Sequence, residues 1–145
     1  MVVKSAVILC GGKGTRLGAL GEKIPKSLIK IHGYPIIWYI INILKQNSFN
    51  HFILPVGYKG NLIEKYFKKN SIFKKYNIEI IKTGQETSIA ERIYRIREKI
   101  RSKNFILLNG DAIFDFDLKK ILNNHEKKKF DITFMGCSAQ LNFGI

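Results

Sequence analysis

The chain has 145 residues, of which 46% are hydrophobic and 25% are charged, and its formal net charge is +14. This composition is typical of one globular domain and excludes an intrinsically disordered chain, and no apolar run approaches the roughly 20 residues that a membrane span needs. The basic excess favours an anionic partner such as nucleic acid or a phosphorylated substrate, although lysines that only keep a surface solvated explain the same charge.

Neither the cysteines nor the first residues indicate an oxidising or secreted environment. Cys10 and Cys137 are too far apart in sequence to indicate a disulfide framework or a metal pair. The first five residues lack the pattern of a secretory signal, so we expect a cytoplasmic protein. The histidines are scattered without ligand spacing, and we interpret them as structural or surface residues.

Hydrophobic periodicity predicts strands that alternate with helices along the chain. The predicted strands are Ser5–Cys10, His51–Val56, Ile78–Lys82, Phe105–Leu108 and Asp131–Cys137. The predicted helices are Pro35–Lys45, Asn61–Lys69, Thr87–Arg101 and Leu118–His125. This alternation indicates parallel pairing through crossover connections. We therefore predict an α/β fold: an open, mainly parallel, Rossmann-like sheet with helices on both faces, in three α/β/α layers.

A glycine-rich loop follows the first predicted strand. Gly11, Gly12 and Gly14 let the backbone turn sharply and approach a ligand, and exposed N–H groups in such a loop can hold phosphate oxygens. Thr15 adds a hydroxyl donor and Arg16 a fork for two phosphate oxygens. The loop is neither a P-loop nor a dinucleotide fingerprint. The alternative is a glycine-rich turn with an unrelated arginine nearby.

Two further charged residues stand at positions that suit a phosphate site. Lys26 follows the rigid Pro25, although taken alone it reads as a surface lysine. Asp111 follows the fourth predicted strand after Asn109 and Gly110, at the carboxyl edge of the sheet, where ligands bind in such folds. Its carboxylate suits Mg²⁺, and the alternative is an aspartate that caps the next turn. We interpret Asp115 and Asp117 as caps of the helix at Leu118.

The run Gly11-Gly12-x-Gly14-Thr15-Arg16-Leu17, followed by Pro25-Lys26, resembles the signature of the sugar-phosphate nucleotidylyltransferases. Gly57-Tyr58-Lys59-Gly60 and Thr83-Gly84-x-x-Thr87 resemble the glucose-1-phosphate cytidylyltransferase branch. Leu108-Asn109-Gly110-Asp111 is closer to the heptose-phosphate guanylyltransferases. The resemblance implies transfer of a nucleoside monophosphate from a nucleoside triphosphate, with CTP favoured, to a sugar 1-phosphate, with release of pyrophosphate.

The resemblance also implies roles for individual residues. Arg16 and Lys26 are the expected catalytic residues, and Asp111 is the expected ligand of Mg²⁺. The expected nucleotide-binding residues are Leu9, Gly11, Gly12, Gly14, Thr15, Gln85, Thr87 and Gly110. One departure is plain: Ala90 and Glu91 replace two glycines that the cytidylyltransferase branch carries just before Arg92. Arg92 either contacts the nucleotide or is a solvated helix residue beside Arg95.

By the same resemblance, residues 1–145 are the nucleotide-binding, N-terminal part of a nucleotidylyltransferase domain, and the C-terminal sugar-binding part is absent. Activity of the short chain is therefore doubtful, and its oligomeric state is open. Two other functions stay open: a nucleotide-binding module without catalysis, and a basic nucleic-acid-binding protein suggested by the charge alone.

Overall fold

A computed structural model describes residues 4–14, 21, 23–136 and 138. Residues 1–114 form one compact unit and residues 115–145 a second. The first unit is built on a parallel sheet of four strands, in the order β5-β4-β1-β6. These strands are β1 (Ser5–Leu9), β4 (His51–Val56), β5 (Asn77–Lys82) and β6 (Phe105–Asn109). A small antiparallel hairpin pairs β2 (Lys30–Ile31) with β3 (Tyr34–Pro35).

Three of the described helices connect strands of the first unit. They are α1 (Ile36–Gln46), α2 (Gly60–Lys69) and α3 (Ile89–Ile96), with short 3-10 turns at Lys26–Leu28, Ser71–Phe73 and Arg97–Lys99. The strand register aligns the carboxyl ends: Leu9 of β1 lies beside Asn109 of β6, and Val56 of β4 beside Lys82 of β5. The loops that leave these ends therefore meet at one edge of the sheet.

The core lies around the two central strands. All six residues of β4 are buried, so side chains of both faces of this strand are covered, as an α/β/α arrangement requires. On α1 the apolar residues recur every three or four positions, and that stripe faces the core. Its four fully buried members are Ile37, Ile40, Ile41 and Leu44. The predicted α/β fold is thus confirmed.

The second unit contains helix α4 (Leu118–Lys128). The Asp117 carboxylate accepts a hydrogen bond from the Lys120 backbone N–H at 3.0 Å, so Asp117 is the predicted cap of this helix. Within the described residues of both units, no helix is long and apolar enough to cross a membrane.

Two predicted elements are wrong in extent or type. The helix predicted over Thr87–Arg101 begins only at Ile89, after the Ser88 hydroxyl accepts from the Glu91 N–H, and ends at Ile96 in a 3-10 turn. The strand predicted over Asp131–Cys137 is not formed at residues 131–136, and Cys137 lies outside the described residues. Its apolar alternation is real, but a strand also requires hydrogen bonds to a neighbouring strand.

Candidate active site

A cavity of about 400 Å³ opens at the carboxyl edge of the parallel sheet. It is lined by loops that follow β1, β5 and β6, and by residues before the hairpin. Nine of the predicted site residues line it: Leu9, Gly11, Gly12, Gly14, Lys26, Gln85, Thr87, Gly110 and Asp111. Residues as far apart in sequence as Leu9 and Asp111 therefore line one cavity. The roles expected of them stay predictions.

The glycine loop after β1 needs glycine at particular positions. Gly14 has φ +68°, a left-handed conformation that other residues rarely adopt. A Cβ on Gly11 would lie closer than 3.0 Å to the guanidinium of Arg92, and a Cβ on Gly110 would lie 2.6 Å from the Cys10 sulfur. Gly110 also donates its N–H to the Leu9 carbonyl at 2.9 Å, which ties the loop after β6 to the end of β1.

Lys26 and Asp111 face each other in this cavity. The Lys26 Nζ lies 3.4 Å from Asp111 Oδ2, and about a third of each side chain is exposed (32% and 38%). The stem of Lys26 lies against Gly14, so the lysine is held beside the glycine loop. The carboxylate of Asp111 therefore has the lysine as an ion-pair partner.

Arg92 is buried beneath the glycine loop and is only 5% exposed. Its guanidinium donates to the Gly11 carbonyl (3.3 Å), the Gln85 carbonyl (3.3 Å) and the Thr83 hydroxyl (2.5 Å). Burial, with a smaller contribution from the positive charge of Arg95, lowers the pKa of Arg92. The reading of Arg92 as a solvated helix residue is therefore wrong.

The loop between β5 and α3 forms another wall of the cavity. The Thr87 hydroxyl donates to the Thr83 carbonyl and closes this loop on itself. Glu86 reaches the glycine loop, where its carboxylate lies 2.5 Å from the Lys13 ammonium. Gln85 lines the cavity and also accepts a hydrogen bond from Arg92 through its backbone carbonyl.

Cys10, directly after β1, also lines the cavity. The resemblance to the nucleotidylyltransferases places it with Leu9 beneath the base, and that role stays a prediction. The side chain is buried, and this burial raises the pKa of its thiol to about 12.

Other features of the lining were not anticipated from the sequence. The Lys13–Glu86 ion pair was missed, since Lys13 occupies the variable position of the glycine motif and Glu86 belongs to no motif. The other unpredicted lining residues are Pro25, Ser27, Ile89 and Asn109. Thr15 and Arg16 lie outside the described residues.

A parallel sheet with a glycine loop, a lysine and a carboxylate at its carboxyl edge defines the class of α/β proteins that bind ligands at that edge. The nucleotidyl transferase family matches residues 5–142. The chain belongs to this family.

Two curated relatives illustrate different branches of the family. A probable glucose-1-phosphate cytidylyltransferase of Bacillus subtilis is 35% identical over 96% of this chain and 62% of its own length. A D-glycero-α-D-manno-heptose 1-phosphate guanylyltransferase of Campylobacter jejuni is 37% identical over 84% of this chain and 54% of its own length. The chain thus spans little more than half the length of these relatives.

Solved structures agree on the fold. HddC from Yersinia pseudotuberculosis, complexed with GMP-PN, matches with a TM-score of 0.71 and 27% identity, over 85% of this chain and 54% of that one. A UTP-bound UGPase from Acinetobacter baumannii matches with a TM-score of 0.75 over 88% of this chain and 54% of that one, and at 17% identity it supports the fold alone.

Proposed function

We propose that the chain is the nucleotide-binding part of a sugar-phosphate nucleotidylyltransferase. The enzyme would transfer a nucleoside monophosphate from a triphosphate, with CTP favoured, to a sugar 1-phosphate, with release of pyrophosphate. One observation carries the proposal: the glycine loop, Lys26 and Asp111 line the same cavity at the carboxyl edge of the sheet. Family membership supports it, and the relatives named above act on sugar 1-phosphates with different bases.

Catalysis of this reaction depends mainly on positioning the two substrates and on offsetting their negative charge. An oxygen of the sugar phosphate forms a bond to the α-phosphorus, and the bond from that phosphorus to the bridging oxygen breaks, so that its electron pair leaves with pyrophosphate. Several negative charges must come together, which a fixed ammonium such as that of Lys26 offsets. Leu9 and the glycine backbone would hold the nucleotide, with Gln85 and Thr87 on its base side.

Arg16 and Thr15 have the remaining proposed roles. Arg16 would neutralise the triphosphate and the leaving pyrophosphate, and Thr15 would donate its hydroxyl to a phosphate oxygen. Both follow Gly14 directly in sequence, which is the support for placing them at this site.

The residues present fit a Mg²⁺ ion at Asp111. This ion is commonly bound through one or two carboxylates together with substrate phosphates, and it keeps several waters. Asp111 offers one partly exposed carboxylate at the cavity, and no group of three or more metal-ligating side chains occurs among the described residues. When bound, Mg²⁺ would neutralise phosphate charge, and Asp111 would exchange its contact with Lys26 for the ion.

Titration calorimetry with CTP, GTP, UTP and ATP in the presence of Mg²⁺ tests the proposal. We expect CTP to bind most tightly, and Lys26→Gln to weaken binding by at least about tenfold, because the ammonium is lost from the cavity. Lys30→Gln, an exposed lysine of the hairpin, is the matched control and should bind as the wild type does. The absence of binding by any triphosphate would refute a nucleotide site.

Pyrophosphate release, measured in parallel with glucose 1-phosphate or a heptose 1-phosphate, separates the catalytic proposal from its alternative. Release that depends on Lys26 and Asp111 supports transferase activity of this chain. Triphosphate binding without release supports a nucleotide-binding module without catalysis. That alternative rests on the coverage of little more than half of each relative.

A further inference from the structure

The guanidinium of Arg92 joins three segments at the carboxyl end of the parallel sheet. It donates to Gly11 in the glycine loop, to Gln85 in the loop after β5, and to Val56 at the end of β4 (Nη1 to the carbonyl oxygen, 3.4 Å). The fourth acceptor is the hydroxyl of Thr83, which itself donates to the Val56 carbonyl at 3.0 Å. The planar guanidinium of an arginine has five N–H donors and can reach all four acceptors at once. A lysine ammonium cannot, because its three donors share a single nitrogen.

The contact to Gly11 determines where the next N–H points. The described backbone has no cis peptide bonds, and in a planar trans peptide the C=O and the following N–H point in opposite directions. Arg92 holds the Gly11 carbonyl toward itself, so the N–H of Gly12 points away from the guanidinium. Gly12 is exposed and lines the cavity, where such an N–H can donate to a phosphate oxygen.

The space that Arg92 occupies explains Gly11. The three atoms nearest to a Cβ at Gly11 would all belong to the Arg92 guanidinium and would lie closer than 3.0 Å, so a side chain there would displace the arginine. A Cβ at Gly57 would also lie 2.8 Å from the guanidinium, but it would meet the Gly84 carbonyl oxygen first, so the backbone already requires that glycine.

The charge of Arg92 is not neutralised by a carboxylate of the residues that the structure describes. Among the described residues, no Asp or Glu oxygen lies within 4.0 Å of its guanidinium nitrogens, so its acceptors are neutral carbonyl and hydroxyl oxygens. Arg95, next to it on α3, pairs instead with Glu91. An unneutralised cation beside a cavity favours an anion there.

We propose that Arg92 is a positioning residue for the phosphate groups of the nucleotide. It fixes the Gly11–Gly12 peptide so that the Gly12 N–H faces the ligand, and its charge lies behind the loop. This inference rests on the proposed function. It differs from base recognition in one measurable respect: the contribution of Arg92 should be the same for every base, and for a triphosphate that has no base.

Affinities of Arg92→Gln for CTP, GTP and inorganic tripolyphosphate test this proposal. We expect a loss of about 30-fold for each ligand to which the wild type binds, because a charged hydrogen-bonding group is removed from the site. Arg95→Gln is the matched control, since Arg95 lies on the same helix and donates to Thr83 but does not contact the glycine loop. It should stay within about threefold of the wild type.

Arg92→Lys guards against a variant that fails to fold. Lysine keeps the positive charge but lacks the planar guanidinium, so we expect the chain to fold and to bind tripolyphosphate less tightly. We also expect the amide resonance of Gly12 to shift in the ¹H–¹⁵N NMR spectrum. Arg95→Gln should not shift this resonance comparably.

The outcomes separate the two proposals. If the wild type binds no triphosphate, the proposed function fails. Suppose instead that the wild type binds a triphosphate. If Arg92→Gln, or a folded Arg92→Lys, then binds tripolyphosphate as tightly as the wild type does and leaves the Gly12 resonance unchanged, only the positioning role fails. A loss confined to one base would assign Arg92 to base recognition and overturn the inference.

Discussion

Charged side chains are arranged differently at the two ends of the parallel sheet. At the amino end, His51 is fully buried, with one ring nitrogen 3.0 Å from the Ser5 hydroxyl and the other 2.9 Å from the Glu79 carboxylate. Glu79 also pairs with Arg101 at 2.7 Å, and the Arg101 backbone N–H donates to Ser5. Each of these four residues has a partner within the network.

At the carboxyl end, the charged groups are not all paired with each other in this way. Arg92 has no carboxylate partner among the described residues, and Lys26 and Asp111 meet at 3.4 Å across an open cavity. The charges of the amino end are therefore paired within the chain, while Arg92 at the carboxyl end has no carboxylate partner among the described residues, which is consistent with the anion site proposed there. Substitutions at the first end should change stability, and substitutions at the second should change binding.

The largest expected effect is on stability at the amino end. His51→Leu removes one buried and one partly buried hydrogen bond and should lower the free energy of unfolding by about 3 kcal/mol. Urea denaturation measures the loss, and His125→Leu, a partly exposed histidine of α4, should cost less than about 1 kcal/mol. Triphosphate affinity of the folded His51→Leu chain should not change. A full loss of triphosphate affinity in the folded variant would contradict the conclusion that the amino end affects stability and the carboxyl end affects binding.

Next in size is the effect of a methyl group in the glycine loop. Gly11→Ala places a Cβ against the Arg92 guanidinium and should cost about 2 kcal/mol of stability by overpacking. Gly12→Ala is the matched control for folding, because nothing lies within 4 Å of its Cβ. Equal thermal melting of the two variants would contradict the packing of Arg92 beneath the loop.

The thiol of Cys10 gives a pH-dependent test. Since burial raises its pKa to about 12, the thiol stays protonated at pH 8, and its alkylation in the native chain should be at least about tenfold slower than in urea. The native rate should keep rising above pH 9, with no plateau near the ordinary thiol value.

The same shift has a consequence for stability. The folded state keeps the Cys10 proton while the unfolded state loses it above pH 9, so this contribution to stability is present below pH 9 and is lost toward pH 12. Comparison of unfolding curves with Cys10→Ala isolates this contribution. A difference between the two proteins that does not vary from pH 8 to pH 11 would contradict the raised pKa.

The smallest effect is expected at the mouth of the cavity. Glu86→Gln removes a negative charge near the proposed phosphates and frees Lys13, so triphosphate affinity should rise about twofold. Glu98→Gln, which removes the exposed partner of Arg97, is the control. Weaker binding by Glu86→Gln would show that the Lys13–Glu86 pair supports the site.

Local patterns predicted much of the fold and of the cavity. The glycines after β1 and Asp111 stand after recognisable strands, whereas Lys26 was predicted as a site residue only through the resemblance to the nucleotidylyltransferases. The buried position of Arg92 was not predictable in this way, since helix periodicity places it on a face but does not reveal its carbonyl acceptors. The hairpin of β2 and β3 was missed because two-residue strands carry no periodic signal.

The position of β6 at the edge of the sheet has a practical consequence. Phe105 and Leu107 are each about 40% exposed, and this strand carries no charged residue, whereas the opposite edge strand carries Glu79 and Lys82. An uncharged apolar edge is a surface on which two copies can pair. The net charge of +14 opposes that pairing, and salt screens it. Concentrated samples should therefore scatter more light as ionic strength rises.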